Sequence, residues 1–240
     1  MKAKAKIILL ALVWLSASSL AGAQLTVQMV HSVYYIKCGK EMGTAFTLLY
    51  KGKQYLITAA HVVDSLPSDG QLQIMEHALW KDLQVGRVTM KSKDADIAIL
   101  IPSHSLMHSE SLEAFVGKWN LGAGVYFLGF PLGLHMIYQG DYAPVIKHGF
   151  YSSTDDDDPD AVISYIDGFN NEGFSGGPVL TQDGSGNWKV ISVISGYLQD
   201  KAKQRVGRQS VDTNLLVNSG IIVTYSIGLA TQAIDAVAAQ

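Results

Sequence analysis

Ser175 stands in the run Gly173-Phe174-Ser175-Gly176-Gly177-Pro178, where small neighbours leave a hydroxyl clear on several sides. A serine hydroxyl is a weak nucleophile at neutral pH and attacks a carbonyl only when an adjacent base takes its proton. His61, in Thr58-Ala59-Ala60-His61-Val62-Val63, is the candidate base. Imidazole titrates near pH 6.5 and serves first as base and then as acid. Asp96 directly precedes the apolar run Ile97-Ala98-Ile99-Leu100, and a carboxylate buried there is costly unless paired. Paired with the imidazole, it fixes the tautomer and stabilises the cation that forms. Asp94, two residues earlier, competes for that role. The order His, Asp, Ser is one of those in which this triad is assembled. Gly173 is free to adopt backbone angles that let its N–H and that of Ser175 converge on one oxygen, as an oxyanion hole requires. Each piece also has a bland reading, a glycine-rich turn or a structural histidine; their joint occurrence in order carries the argument.

These residues need a scaffold, and the sequence between them reads as strands. Thr26 to Ile36, Thr44 to Tyr50, Gln54 to Thr58, Leu72 to Leu79, Leu83 to Met90 and Ile97 to Ile101 are β-branched, aromatic or alternating, with Lys51-Gly52-Lys53 as a hairpin turn. Pro102 to Asn120 lacks that pattern and reads as a crossover. A second strand set follows at Gly124–Leu128, Ala143–Lys147, Ala161–Ile166, Val179–Thr181, Lys189–Ile194 and Gly220–Tyr225. Ser226 is placed to cap a short C-terminal helix with Ile227, Ala230, Ile234 and Val237 along one face. Short strands at this spacing predict closed or sandwiched all-β units.

Before the strands, Lys2, Lys4 and Lys6 precede the apolar run Ile7 to Leu15, and Ala21-Gly22-Ala23 offers a cleavage signature. Residues 1–23 therefore read as a signal peptide, with an uncleaved anchor as the alternative. The expected mature chain starts at Gln24 and is exported, to the periplasm or the medium, with no stable membrane association once the leader is removed. Losing three lysines lowers the basic count from 18 to 15 against 21 acids, a net charge of about −6. Lys and Arg are scattered, so no nucleic-acid partner is expected. The lone Cys38 excludes an internal disulfide and reads as a small buried strand residue.

The triad segments resemble trypsin-type serine peptidases, and most closely the bacterial trypsin-like group related to HtrA-type proteases. The resemblance rests on T-A-A-H-V-V around His61, D-I-A-I-L from Asp96, and G-F-S-G-G-P around Ser175. It implies an all-β fold of two six-stranded antiparallel barrels with a short C-terminal helix. The N-terminal barrel, residues 24–110, would carry His61 and Asp96, and the C-terminal barrel, residues 111–240, would carry Ser175. It further implies a serine endopeptidase acting on protein or peptide substrates through an acyl-enzyme, with no cofactor or metal. Ser175 would face the His61 imidazole at the barrel junction, with Gly173 and Ser175 supplying the oxyanion donors. Phe169, six residues before the nucleophile, is the expected floor of the primary pocket and suggests small or apolar side chains there. Ser195-Gly196-Tyr197 resembles the edge that binds the substrate backbone, with Ser195 touching the triad carboxylate. Gly129-Phe130-Pro131-Leu132-Gly133 resembles the turn that opens the second barrel. A catalytically silent binding module and an esterase using the same triad are the alternatives.

Two other clusters attract attention. Asp155-Asp156-Asp157-Asp158-Pro159-Asp160 has carboxylates suited to calcium but lacks EF-hand spacing, so a solvated loop is expected. His104 and His108, four apart, read as crossover surface.

Overall fold

In the computed structural model, which describes residues 24–106, 111–115, 117, 119–134, 136–206 and 209–238, two strand rings share one interface. The expected leader lies outside the described residues, as does His108.

The first ring comprises β1 (Val33–Cys38), β2 (Glu41–Tyr50), β3 (Lys53–Thr58), β4 (Gln71–Glu76), β5 (Leu79–Val88) and β6 (Ala98–Pro102). All six pair antiparallel, and β1 closes the ring by bonding to both β2 and β4. A two-residue strand β7 (Leu112–Glu113) adds to β2 in parallel, and Ala114 then bridges to Val190, so the chain crosses between rings at this point. The second ring is a closed antiparallel barrel in the order β11-β12-β15-β14-β13-β8, formed by β8 (Gly124–Gly129), β11 (Val145–Asp155), β12 (Ile163–Asp167), β13 (Pro178–Gln182), β14 (Trp188–Val206) and β15 (Gln209–Ser226). Between them β9 (Met136–Tyr138) and β10 (Asp141–Ala143) make a separate hairpin.

Three apolar clusters hold this together. Ile36, Leu56, Ile74, Leu83 and Leu100 fill the first barrel, and Val125, Phe127, Ile166, Phe174 and Ile222 fill the second. The third lies between barrels, where Phe46, Ile57 and Ile99 meet Leu128, Phe130, Leu180 and Val193. Each such side chain, fully buried, contributes about 1.5–3 kcal/mol, so the fold stands without a disulfide. Cys38 is a free, buried thiol at the end of β1.

The strands depart from expectation where propensity and packing disagree. Val27–His31 is a short helix α1, not the start of a strand, because Thr26 caps it by accepting from the Met29 N–H (3.2 Å) and Ser32 bonds back to the Gln28 carbonyl (2.9 Å). The closing hairpin β14–β15 is far longer than its apolar cores, Lys189–Ile194 and Gly220–Tyr225. The segment Tyr197 to Lys203 is largely polar, so backbone pairing extends it without an apolar alternation to announce it. Gly129-Phe130-Pro131-Leu132-Gly133 follows β8 and therefore sits inside the second barrel's strand set, not at its opening. Helix α2 (Ile227–Ala238) starts at Ser226, whose Oγ accepts from the Gly228 N–H (3.2 Å); Ile227, Ala230 and Ile234 are buried, but Val237 is half exposed. Asp155 ends β11 and Asp160 pairs with Lys91 at 2.7 Å.

Candidate active site

His61 opens a single 3-10 turn, His61–Val63, directly after β3. Its neighbours Val62 and Val63 are locked in the first barrel's core, which fixes the backbone and leaves the ring near the surface. Asp96 precedes β6 between buried Ala95 and Ile97. The His61 Nδ1 donates to Asp96 Oδ2 at 2.7 Å, and the His61 N–H donates to Asp96 Oδ1 at 2.9 Å. One carboxylate thus grips both the ring and the backbone of the same residue. This tautomer leaves Nε2 with a free lone pair. Asp94 is exposed and takes no part: its N–H donates to Ser92 Oγ.

Ser195 completes the shell of Asp96, its Oγ donating to Oδ2 at 2.6 Å. The Ser195 carbonyl accepts from the Ser175 hydroxyl at 3.0 Å. One hydrogen-bonded series therefore runs from His61 through Asp96 and Ser195 to Ser175. The link expected between Ser175 and His61 is not the one formed. Among the described residues the Ser175 hydroxyl bonds only to Ser195. Catalytic hydrogen bonds are commonly loose before substrate arrives.

Charge and burial at Asp96 oppose each other. Burial pushes its carboxyl up, but hydrogen bonds from the His61 ring, Ser195 and the His61 N–H outweigh it and hold the group below the usual carboxylate range. The same bond to Asp96 raises His61 above the ordinary imidazole value, against the opposing effect of burial. The stability that Asp96 gains from these bonds is present above its unfolded value and is lost as pH falls through the depressed one. That of the imidazolium is present on the acid side and is lost as pH rises through the raised His61 value. Any reaction needing neutral His61 should then lose rate on acidification with a midpoint above about 6.5. A pH profile of kcat/KM checks this, and a midpoint below that value contradicts the pairing.

The loop between β12 and β13 carries Ser175. Gly173 sits at φ +96°, a conformation L side chains rarely adopt, and a Cβ there would lie 2.2 Å from the Phe130 carbonyl oxygen. Thr44, at the start of β2's buried stretch, pins the loop from the other barrel. Its N–H donates to the Ser175 carbonyl (2.8 Å), its Oγ1 donates to the Gly173 carbonyl (2.6 Å), and that hydroxyl accepts from the Phe130 N–H (3.1 Å). Both carbonyls are thereby committed to Thr44, and the N–H groups of Gly173 and Ser175 have no intramolecular acceptor among the described residues. Thr44 had no signal in the sequence beyond its place in a strand. Gly176, at φ +85°, lets the loop lie on the first barrel, since a Cβ would meet the Thr44 carbonyl oxygen at 2.1 Å. Gly176→Ala is expected to destabilise the fold by at least about 2 kcal/mol, read by denaturant unfolding, from strain and overpacking together.

The expected pocket residues divide. Gly196 accepts from Asn170 Nδ2 at 3.2 Å, and Tyr197 is partly buried beside it on β14, facing Ile222 of β15. Phe169 is 54% exposed. The Gly168 N–H on the Gly220 carbonyl and Lys147 on the Phe169 carbonyl orient the backbone so that Asn170, at 1%, is the recessed side chain. Asp167 is exposed on the far side of the turn.

With that geometry in view, a family model for the trypsin-like peptidase domain matches residues 43–186, more than half of the chain. The chain belongs to the trypsin-like peptidase family. Among solved structures the fold is similar to the Mycobacterium tuberculosis protease Rv3671c in its active form (19% identity, 86% of this chain and 81% of that one, TM-score 0.56). It is about as similar to the inactive form of that protease (19%, 87% and 89%, 0.55). A third relative by fold is the HtrA-type protease AlgW with a tripeptide (17%, TM-score 0.55), where 88% of this chain covers 61% of the other. At these identities the likeness concerns the fold. No curated protein sequence matches the chain.

Proposed function

We propose that this trypsin-like peptidase is an exported serine endopeptidase in which Ser175, His61 and Asp96 form the catalytic triad. The observation that supports it best is the hydrogen-bonded series His61–Asp96–Ser195–Ser175 at the junction of two barrels. On substrate binding the Ser175 hydroxyl rotates to His61 Nε2, gives up its proton there, and attacks the scissile carbonyl. The developing oxyanion is received by the N–H groups of Gly173 and Ser175, each donor of this kind being worth about 10²–10³ in kcat. His61, now cationic and held by Asp96, returns the proton to the leaving amine, and water then releases the acyl group by the reverse steps. The reaction draws on no cofactor or metal. The backbone of the peptide runs along Ser195–Tyr197, with Phe169 beside the primary pocket.

A silent binding module is the second reading. It is favoured by the bond of the Ser175 hydroxyl to Ser195 and by the Asn170–Gly196 bond, which draws the two pocket walls together. Incubating residues 24–240 with a proteome-derived peptide mixture separates the two. New termini made by the wild type and missing with Ser175→Ala support the endopeptidase; an unchanged mixture supports the binding module.

A further inference from the structure

Lys147 occupies a place where strand alternation calls for an apolar residue. On β11 it lies between Val145 and Gly149 on the face that also carries Tyr151, and both Val145 and Tyr151 pack on the second barrel's core. Its strand partner on β8 is Phe127, which is fully buried. The aliphatic stem therefore starts on the inner wall of the barrel, and the ammonium emerges at its mouth.

There the ammonium meets the nucleophile loop at three points. It donates to the Phe169 carbonyl at 2.7 Å and to Asn171 Oδ1 at 3.1 Å, and it lies 5.2 Å from the centre of the Phe174 ring. The Phe169 ring is 5.7 Å away. Phe174 is the residue before Ser175, is fully buried, and packs edge-on against Phe127. Charge-assisted hydrogen bonds are roughly twice as strong as neutral ones, and a partly desolvated ammonium over an aromatic face adds to them. Burial holds the Lys147 ammonium below its ordinary value, which marks the group as drawn out of water.

The rest of the loop is tied down from elsewhere. Gly168 and Gly176 are fixed by the Gly220 and Ile194 carbonyls at its two ends, while the Leu132 N–H holds the Glu172 carbonyl and Thr44 holds Gly173. None of these bonds reaches Phe169 or Asn171. Those two residues begin the turn that aims the Gly173 and Ser175 N–H groups. Within it the Asn171 carbonyl accepts from the Phe174 N–H (3.2 Å) and Asn170 bonds to Gly196 and Asn218, while Lys147 ties the Phe169 carbonyl and the Asn171 side chain to the barrel wall.

We propose that Lys147 is a positioning residue for the oxyanion turn, its ammonium clasping Phe169, Asn171 and Phe174 so that the Gly173–Ser175 backbone is preorganised. The inference rests on the reading of Ser175 as nucleophile. Its physical half, loop order, is measurable with no turnover at all.

The test uses residues 24–240 as wild type, Lys147→Met, and Lys147→Cys before and after 2-bromoethylamine, which rebuilds a lysine-like ammonium on the thiol. Wild type treated in parallel controls for Cys38. Hydrogen exchange of the segment 168–177 is expected to speed up about 10-fold or more in Lys147→Met and to return toward wild type on aminoethylation of the Cys variant. With a cleaved peptide, kcat is expected to fall about 10–100-fold at nearly constant KM, the scale of a misplaced catalytic group, and to recover with the ammonium. Wild-type exchange in Lys147→Met overturns the proposal. So does loosened exchange with unchanged kcat, or a rise in KM alone, which would make Lys147 a substrate contact. A wild type that cleaves nothing defeats the functional reading instead, and the exchange arm still decides whether Lys147 orders the turn. Should Lys147→Met fail to fold, the paired Cys samples carry the same comparison.

Discussion

Ser175→Ala is expected to lower kcat by about 10⁶-fold, the cost of removing the nucleophile from an intact triad. The substitution is clean for physical reasons. Among the described residues the Ser175 hydroxyl bonds only to the Ser195 carbonyl, while the backbone of the loop is held by Thr44, Ile194 and Phe174 through groups that alanine keeps. His61, Asp96 and the two oxyanion donors stay in place, so residual rate would report those groups alone. Thermal unfolding should move little. Steady-state kinetics in a preparation free of other peptidases checks this, and wild-type turnover by the variant would remove Ser175 from the mechanism.

Asp96→Asn follows at about 10⁴-fold. The carboxylate accepts three hydrogen bonds: from the His61 ring, the His61 N–H and the Ser195 hydroxyl. An amide of the same shape offers one acceptor oxygen and one donor nitrogen. With the nitrogen toward the ring, the imidazole is pushed toward the tautomer that puts its proton on the side of Ser175; with the nitrogen toward the backbone, it faces the His61 N–H, donor against donor. The variant also loses the charge that raises His61, so its surviving activity should show an acid limb displaced to lower pH. A loss of rate with an unmoved limb would mean that Asp96 acts only through the fold.

What was legible in the sequence is what depends on local chemistry. The triad residues announced themselves because each is an oddity in its setting: a histidine just after a buried strand, a carboxylate just before one, a serine among glycines. Asp96 was separable from Asp94 by its position against the apolar run, and the structure places it on His61. The two rings were readable where strands are half-buried and alternate. The polar arm of β14–β15 and the helix at Val27–His31 were not, since one is sustained by backbone pairing and the other by caps. Thr44 and Lys147 were invisible for a different reason. Their contacts lie 129 residues away in one case and 22 and 24 in the other, and although a lysine at an inward strand position is an oddity, nothing local says what it touches. The exposure of Phe169 and the burial of Asn170 were not legible, because a place in the count to Ser175 says nothing of which way the backbone turns. The bonds of Lys147 and Gly168 decide that, and they bring Asn170 inward.

The central claim is that the Ser175 hydroxyl can be activated by His61 despite resting on the Ser195 carbonyl. A fluorophosphonate, which reacts with activated serines, tests it with no knowledge of the natural substrate. The account predicts one covalent adduct per chain, mapped by mass spectrometry to Ser175 and formed far more slowly after His61→Ala. Folded wild-type protein that stays unlabelled at Ser175, or that labels equally fast without His61, would contradict it.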